Sequence, residues 1–241
     1  MSPALITALL VAGGAAEADG AALDAETRRA YATVLSRHVK DGRVDYRGIE
    51  KKSLKLLDGY LSKVAEADLP EGRNARIGFL ADAYNALVLR SVIRHGRPRS
   101  VLDVKGFFNE EKHRVAGRDV TLDALEKKVL NPFAKDPRTH FILVCAAVGC
   151  PILEGRPFAG TDLDARMEKA TRRYLAGTTG ARRSGSQLLV SKIFDWYAAD
   201  FGGKDGVKDF ILPRLSGKTR EGLGQKPDIG YIDYNWTLNQ M

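Results

Sequence analysis

The chain has 241 residues, of which 44% are apolar and 28% charged, enough to bury a core in one sizeable domain or two small ones. The net charge of +8 raises nucleic acid as a partner. The basic residues, however, come in short groups (Lys51-Lys52, Arg172-Arg173, Arg182-Arg183) without interleaved aromatics, so the excess reads as solvated surface and no nucleic-acid partner is expected.

In chain order, residues 1–18, MSPALITALLVAGGAAEA, carry an apolar stretch from Ala4 to Ala12 and an A-x-A pattern, Ala16-Glu17-Ala18. This is the shape of a signal peptide and too short to span a bilayer stably, which makes the mature chain periplasmic or secreted. A flexible Ala/Gly tail or an internal start site is the alternative, because no Lys or Arg precedes Arg28. No other stretch is apolar enough to cross a membrane, so no stable span is expected.

Helical spacing predicts helices over 22–39, 52–67 and 74–95. The third is the strongest, with Ile77, Ala81, Tyr84, Val88 and Val92 in register and Gly96 as its stop. HRV-AG-RDV within 112–122 reads as a hairpin, and Thr121 can cap a helix over 122–130. Thr139 to Ala147 is a dense β-forming run. Helix follows over 162–175, an extended piece over 185–192, two short helices between 191 and 215, and an alternating tail over 228–238. Helices first and strands later predict an α+β fold, with N-terminal helices packed on a small mixed or antiparallel sheet.

Six stretches stand in one order: DGRVDY (41–46), AYNAL (83–87), GRDVTLDALE (117–126), DPRTHFILVCAAVGCPIL (136–153), LVSKIFDWYAADFG (189–202) and YIDYNWTLN (231–239). Together they resemble the bacterial members of the DUF547 family, a domain of unknown function often found in exported proteins. The resemblance runs from about residue 25 to the C-terminus and implies one domain over 19–241. It implies no established activity, although some eukaryotic members carry the domain beside glutaredoxin-like modules, an association with thiol chemistry. Two departures are visible. The family's FW-x-N-x-YNAL reads here with Leu80 and Asp82 at the Trp and first Asn, and its Glu-His reads Glu126-Lys127.

The chemistry concentrates in HFILVCAAVGCP, residues 140–151, which holds His140 and both cysteines. On a regular strand His140 and Cys145 point to opposite faces. Cys150 follows Gly149, beyond the strand, and precedes Pro151. There it can cap a short helical turn whose N–H groups favour the thiolate. Cys145 and Cys150 can also close a structural bridge, form a redox-active pair, or lie inert and buried. Zinc is a further alternative, through His140 and the two cysteines completed by His113 and Glu126. No second Cys/His cluster supports it, and neither metal nor cofactor is expected.

Two polar residues fall on apolar helical faces. Glu126 shares a face with Leu122 and Val129, and Asn85 lies on the stripe of Ala81 and Val88, where a core hydrogen-bond network is the simpler role. The leading expectation is a thiol-centred acyl transferase or hydrolase: Cys150 as nucleophile, His140 as base, Glu126 as orienter and Asn85 stabilising the oxyanion or substrate. Its rivals are a thiol–disulfide exchange module using Cys145 and Cys150, and a non-catalytic binding or scaffold domain. The partner would be a small-molecule or peptide substrate. Ser191, Lys192, Asp195 and Asp200 read as part of a helix packed by its aromatics, and Trp236 as core.

Overall fold

The computed structural model describes residues 22–241; the expected signal peptide, 1–18, lies outside them. The fold is α+β, with one continuous hydrophobic core joining its helices to the short strands.

Helix α1 spans Ala25–His38 and opens where the Asp24 carboxylate accepts a bond from the Thr27 N–H at 2.7 Å. Helix α2, Lys51–Glu66, packs against it through Tyr31 and Tyr60, whose rings stack 4.5 Å apart. Helix α3, Arg73–Arg94, buries almost its whole circumference from Ile77 to Leu89, as a helix in the middle of a domain must. All three begin and end within a few residues of the boundaries read from spacing.

The strands are short. β1 (Val39–Lys40) pairs with β2 (Arg43–Val44), and β3 (His113–Val115) with β4 (Arg118–Val120), the expected hairpin. β5 (Ala181–Ser184), β6 (Gln187–Ser191) and β7 (Ile229–Ile232) make a mixed sheet, antiparallel between β5 and β6 and parallel between β6 and β7.

The expected strand over 139–147 is not formed. Pro137–Phe141 is a 3-10 turn capped by Asp136, and Ala146 adopts a left-handed backbone with φ of 62°. Proline locks the start of the segment into a turn, and the reversal at Ala146 breaks the extended run. The β-forming residues are nonetheless buried. Phe141 packs among Phe194, Phe201 and Phe210, so the run met the demand for apolar surface without pairing as a strand.

The tail pairs as β7 only over Ile229–Ile232. Beyond it the chain laces together three distant segments, the first at Arg99, whose carbonyl accepts the Leu238 N–H. Val148 and Gly149 N–H groups bond the Thr237 and Asn235 carbonyls, Asn239 N–H bonds Ala146 O, and Val44 exchanges bonds with Asn239 and Met241. These contacts hold the C-terminal residues against the loop that contains both cysteines.

Candidate functional site

The segment after Phe141 is fixed from below by α3. Asn85, 1% exposed, donates its amide N–H to Ile142 O and accepts the Val144 N–H, both at 2.9 Å. Both its amide N–H and its carbonyl oxygen are thus engaged on the backbone of the two residues flanking Leu143, and it does not line the cavity beside the cysteines. These two bonds tie the 142–144 backbone, just before Cys145, to α3.

Cys145 and Cys150 are joined, with sulfurs 2.00 Å apart. Pro151–Glu154 continues without a helix, so Cys150 is not the helix cap that Pro151 suggested. The donors around its sulfur are different ones. The Cys145 N–H points at Cys150 Sγ with N···S 2.9 Å, and the Tyr234 hydroxyl lies 3.2 Å from each sulfur. Bridged sulfurs carry no hydrogen, so the hydroxyl is the donor. Gly149 permits this approach: a Cβ there would lie 3.0 Å from Asn235 N and 3.2 Å from the Tyr234 ring. Its carbonyl is held by the Tyr174 hydroxyl at 2.8 Å, which also bonds Ser191 Oγ.

The bridge forms part of the wall of a cavity of about 430 Å³, shared with Tyr84, Glu126, His140, Trp196, Tyr234 and Trp236. Cys145 is partly exposed in it and Cys150 nearly buried. Trp196, Tyr234 and Trp236 touch one another, with ring centres 4.8–5.8 Å apart. Trp236, expected in the core, is part of this half-exposed aromatic wall.

His140 reaches the same cavity because Phe141 anchors the 3-10 turn in the core, while the imidazole packs on Tyr197 with centroids 4.1 Å apart. Its Nε2 is 2.8 Å from Asp200 Oδ2, and its Nδ1 is 3.7 Å from Glu126 Oε1. With a carboxylate accepting from Nε2, Nδ1 is the nitrogen left to take or give a proton. Glu126 lies in a π-helix, Leu125–Leu130, inserted between the helical turns Leu122–Ala124 and Asn131–Ala134. Such insertions often occur at functional sites. Here the wider turn buries Leu125 and Glu126 side by side. The Tyr197 hydroxyl is pushed up in pKa by burial first, then by the Glu126 carboxylate to which it hydrogen-bonds.

Sequence reasoning thus named four of the groups that line the cavity, Cys145, Cys150, His140 and Glu126. It missed Tyr234 and both tryptophans there, and Asp200, which bonds His140 from outside that cavity. Asp200, Trp196, Tyr234 and Trp236 all fall inside two of the stretches that carried the family resemblance, DWYAADFG and YIDYNWTLN. That was the signal available, and the aromatic spacing hid it.

The zinc alternative loses its ligands, since both sulfurs are bonded to each other. His113 lies on β3 beside Glu111, 3.6 Å away, and burial holds its imidazole below the usual histidine range. Among the described residues no three His, Cys, Asp or Glu side chains are grouped to hold a metal ion. No described helix is long and apolar enough to cross a membrane.

Residues 69–175 match the family model described as "Protein of unknown function, DUF547". Three of the six resembling stretches, at 83–87, 117–126 and 136–153, fall inside this match. No curated protein and no solved structure matches the chain.

Proposed function

We propose that the chain, whose residues 69–175 match the DUF547 family model, acts in thiol–disulfide exchange through Cys145 and Cys150. One observation carries the reading: Cys150 Sγ faces two hydrogen-bond donors, the Cys145 N–H and the Tyr234 hydroxyl, at the wall of an open cavity. Donors that hold a thiolate make it the better leaving group. Cys145 is the more exposed of the two cysteines, and its sulfur is the one attacked.

A substrate thiol gives up its proton, with His140 Nδ1 as the nearby base, and its thiolate attacks Cys145 Sγ. The S–S bond breaks and its electron pair passes to Cys150 Sγ, where the two donors receive it. A second substrate thiolate then attacks the substrate sulfur of the mixed disulfide. The pair on Cys145 Sγ takes up a proton, and so does Cys150. Two substrate thiols have become a disulfide, and the protein's bridge has become two thiols. Export of the chain, the expectation from residues 1–18, would suit a protein that works as an oxidant.

Equilibrating the native protein in graded glutathione or dithiothreitol buffers, then alkylating, tests this. The bridge is expected to open reversibly in the folded protein at a potential above about −300 mV, where structural bridges of secreted proteins resist reduction. A bridge that opens only on unfolding would show a pinned scaffold loop instead.

The pairing of His140, which lines the cavity, with Asp200 supports a second reading for the reduced protein. Cys150 would attack an amide or thioester carbonyl, with His140 as base beside Glu126, and Asn85 contributing by holding the 142–144 backbone. Thioester hydrolysis by the reduced wild type, lost in Cys150→Ser, is its expected result; equal background rates would remove it.

A further inference from the structure

The cavity holding the bridge is not the only hollow at His140. A second hollow, of about 570 Å³, is lined by Asn131, Lys135, Asp136 and Asp200, and it shares Lys127, His140, Trp196 and Tyr197 with the first. The two hollows are neighbours, meeting at these four residues. Each alone has the volume of a site for a drug-sized molecule. A low-molecular-weight thiol would fill only the one beside the sulfurs.

Both hollows carry charged groups of both signs, Asp123, Glu126 and Lys127 in the first and Lys135, Asp136 and Asp200 in the second. What sets the first apart is the apolar and aromatic wall beside its sulfurs: Tyr84, Phe108, Leu143, Ile193, Trp196 and Trp236. Trp196 lines both hollows, 48% exposed, one of three large apolar side chains so placed among the described residues. Exposed aromatics backed by other rings are the residues that most often anchor a bound chain. Trp196 is backed by both Tyr234 and Trp236.

We infer that the substrate of the exchange site is an extended polypeptide whose cysteine is flanked by an apolar or aromatic residue, with that residue on the Trp196–Trp236 wall and the chain continuing past Trp196 toward the second hollow. This rests on the exchange reading of Cys145 and Cys150. It follows from the adjacency of the two hollows and the placement of the exposed Trp196 indole, backed by Tyr234 and Trp236, in the cavity that holds the sulfurs.

The test uses the full, oxidised chain and three reductants: dithiothreitol, a ten-residue reduced peptide with Leu and Phe beside its cysteine, and the same peptide with Gly and Ser there. Bridge opening is followed by quenched alkylation and mass measurement. The apolar-flanked peptide is expected to react at least about tenfold faster at sub-saturating concentration than the Gly/Ser peptide, through a lower KM. Trp196→Ala should bring that ratio near one, and Trp196→Phe should restore most of it. Equal rates for the two peptides, or a preference unchanged in Trp196→Ala, would overturn the substrate assignment while leaving exchange in place. Failure of dithiothreitol to open the native bridge would overturn both.

Discussion

The Tyr234 hydroxyl lies 3.2 Å from Cys150 Sγ, a contact made across 84 residues of sequence. It exists because the C-terminal tail is pinned to Val148 and Gly149, the residues just before that cysteine. The relationship gives the bridge a chemical environment that neither the cysteine spacing nor the adjacent proline could supply.

Tyr234→Phe removes one of the two donors to the leaving sulfur while keeping the ring. A hydrogen bond to a charged group contributes about 1.5–3 kcal/mol. The reduced form should therefore lose stability and the potential should fall by about 30 mV or more. A redox-buffer titration checks this, and urea midpoints should show little change in the stability of the oxidised fold.

Gly149→Ala acts on the same contact from the other side. The new Cβ meets Asn235 and the Tyr234 ring at 3.0–3.2 Å, so the tail must give way. A cost of about 1–3 kcal/mol in urea unfolding is expected, together with a potential shifted in the same direction as in Tyr234→Phe.

Asn85→Ala leaves the Ile142 carbonyl and the Val144 N–H buried without partners. Two such groups cost about 2–4 kcal/mol. Urea denaturation should show this loss, because both of these Asn85 hydrogen bonds are made to the loop's backbone.

Asp82 offers a pH-dependent prediction. Burial pushes its carboxyl up to about 7, against the Phe158 and Ala159 N–H groups and nearby Arg166, which pull it down. A raised value means the folded state holds this proton more tightly than the unfolded chain. Its contribution is present below the unfolded value of 3.8 and is lost as pH rises toward 7. The wild type should therefore lose up to a few kcal/mol from this group over that range. Asp82→Asn should lack that part of the slope when midpoints at pH 5 and pH 8 are compared.

The three long helices were legible because their apolar residues recur at helical spacing over 14 to 22 residues, and the hairpin because its Ala116-Gly117 tip supplies the turn. The 139–147 run was misread because β-branched and aromatic residues report burial as much as pairing, and the Pro137 turn and Ala146 reversal override them. At the site, His140, Glu126 and the cysteine pair stood out by residue type. Asn85 was legible as a buried amide, and its simpler role fits the hydrogen bonds it makes. Tyr234 and Asp200 come from segments 60 to 89 residues away from the residues they bond. Only the tertiary path of the tail and of the Ala198–Phe201 turn brings them in.

The most direct measurement is the alkylation rate of Cys150 against pH in native Cys145→Ser, where the backbone N–H and the Tyr234 hydroxyl still face a lone sulfur. A labelling midpoint at least one unit below the ordinary thiol value of about 8.5 is expected. It should move up when Tyr234→Phe is added. A midpoint at or above that ordinary value, indifferent to Tyr234, would contradict the account.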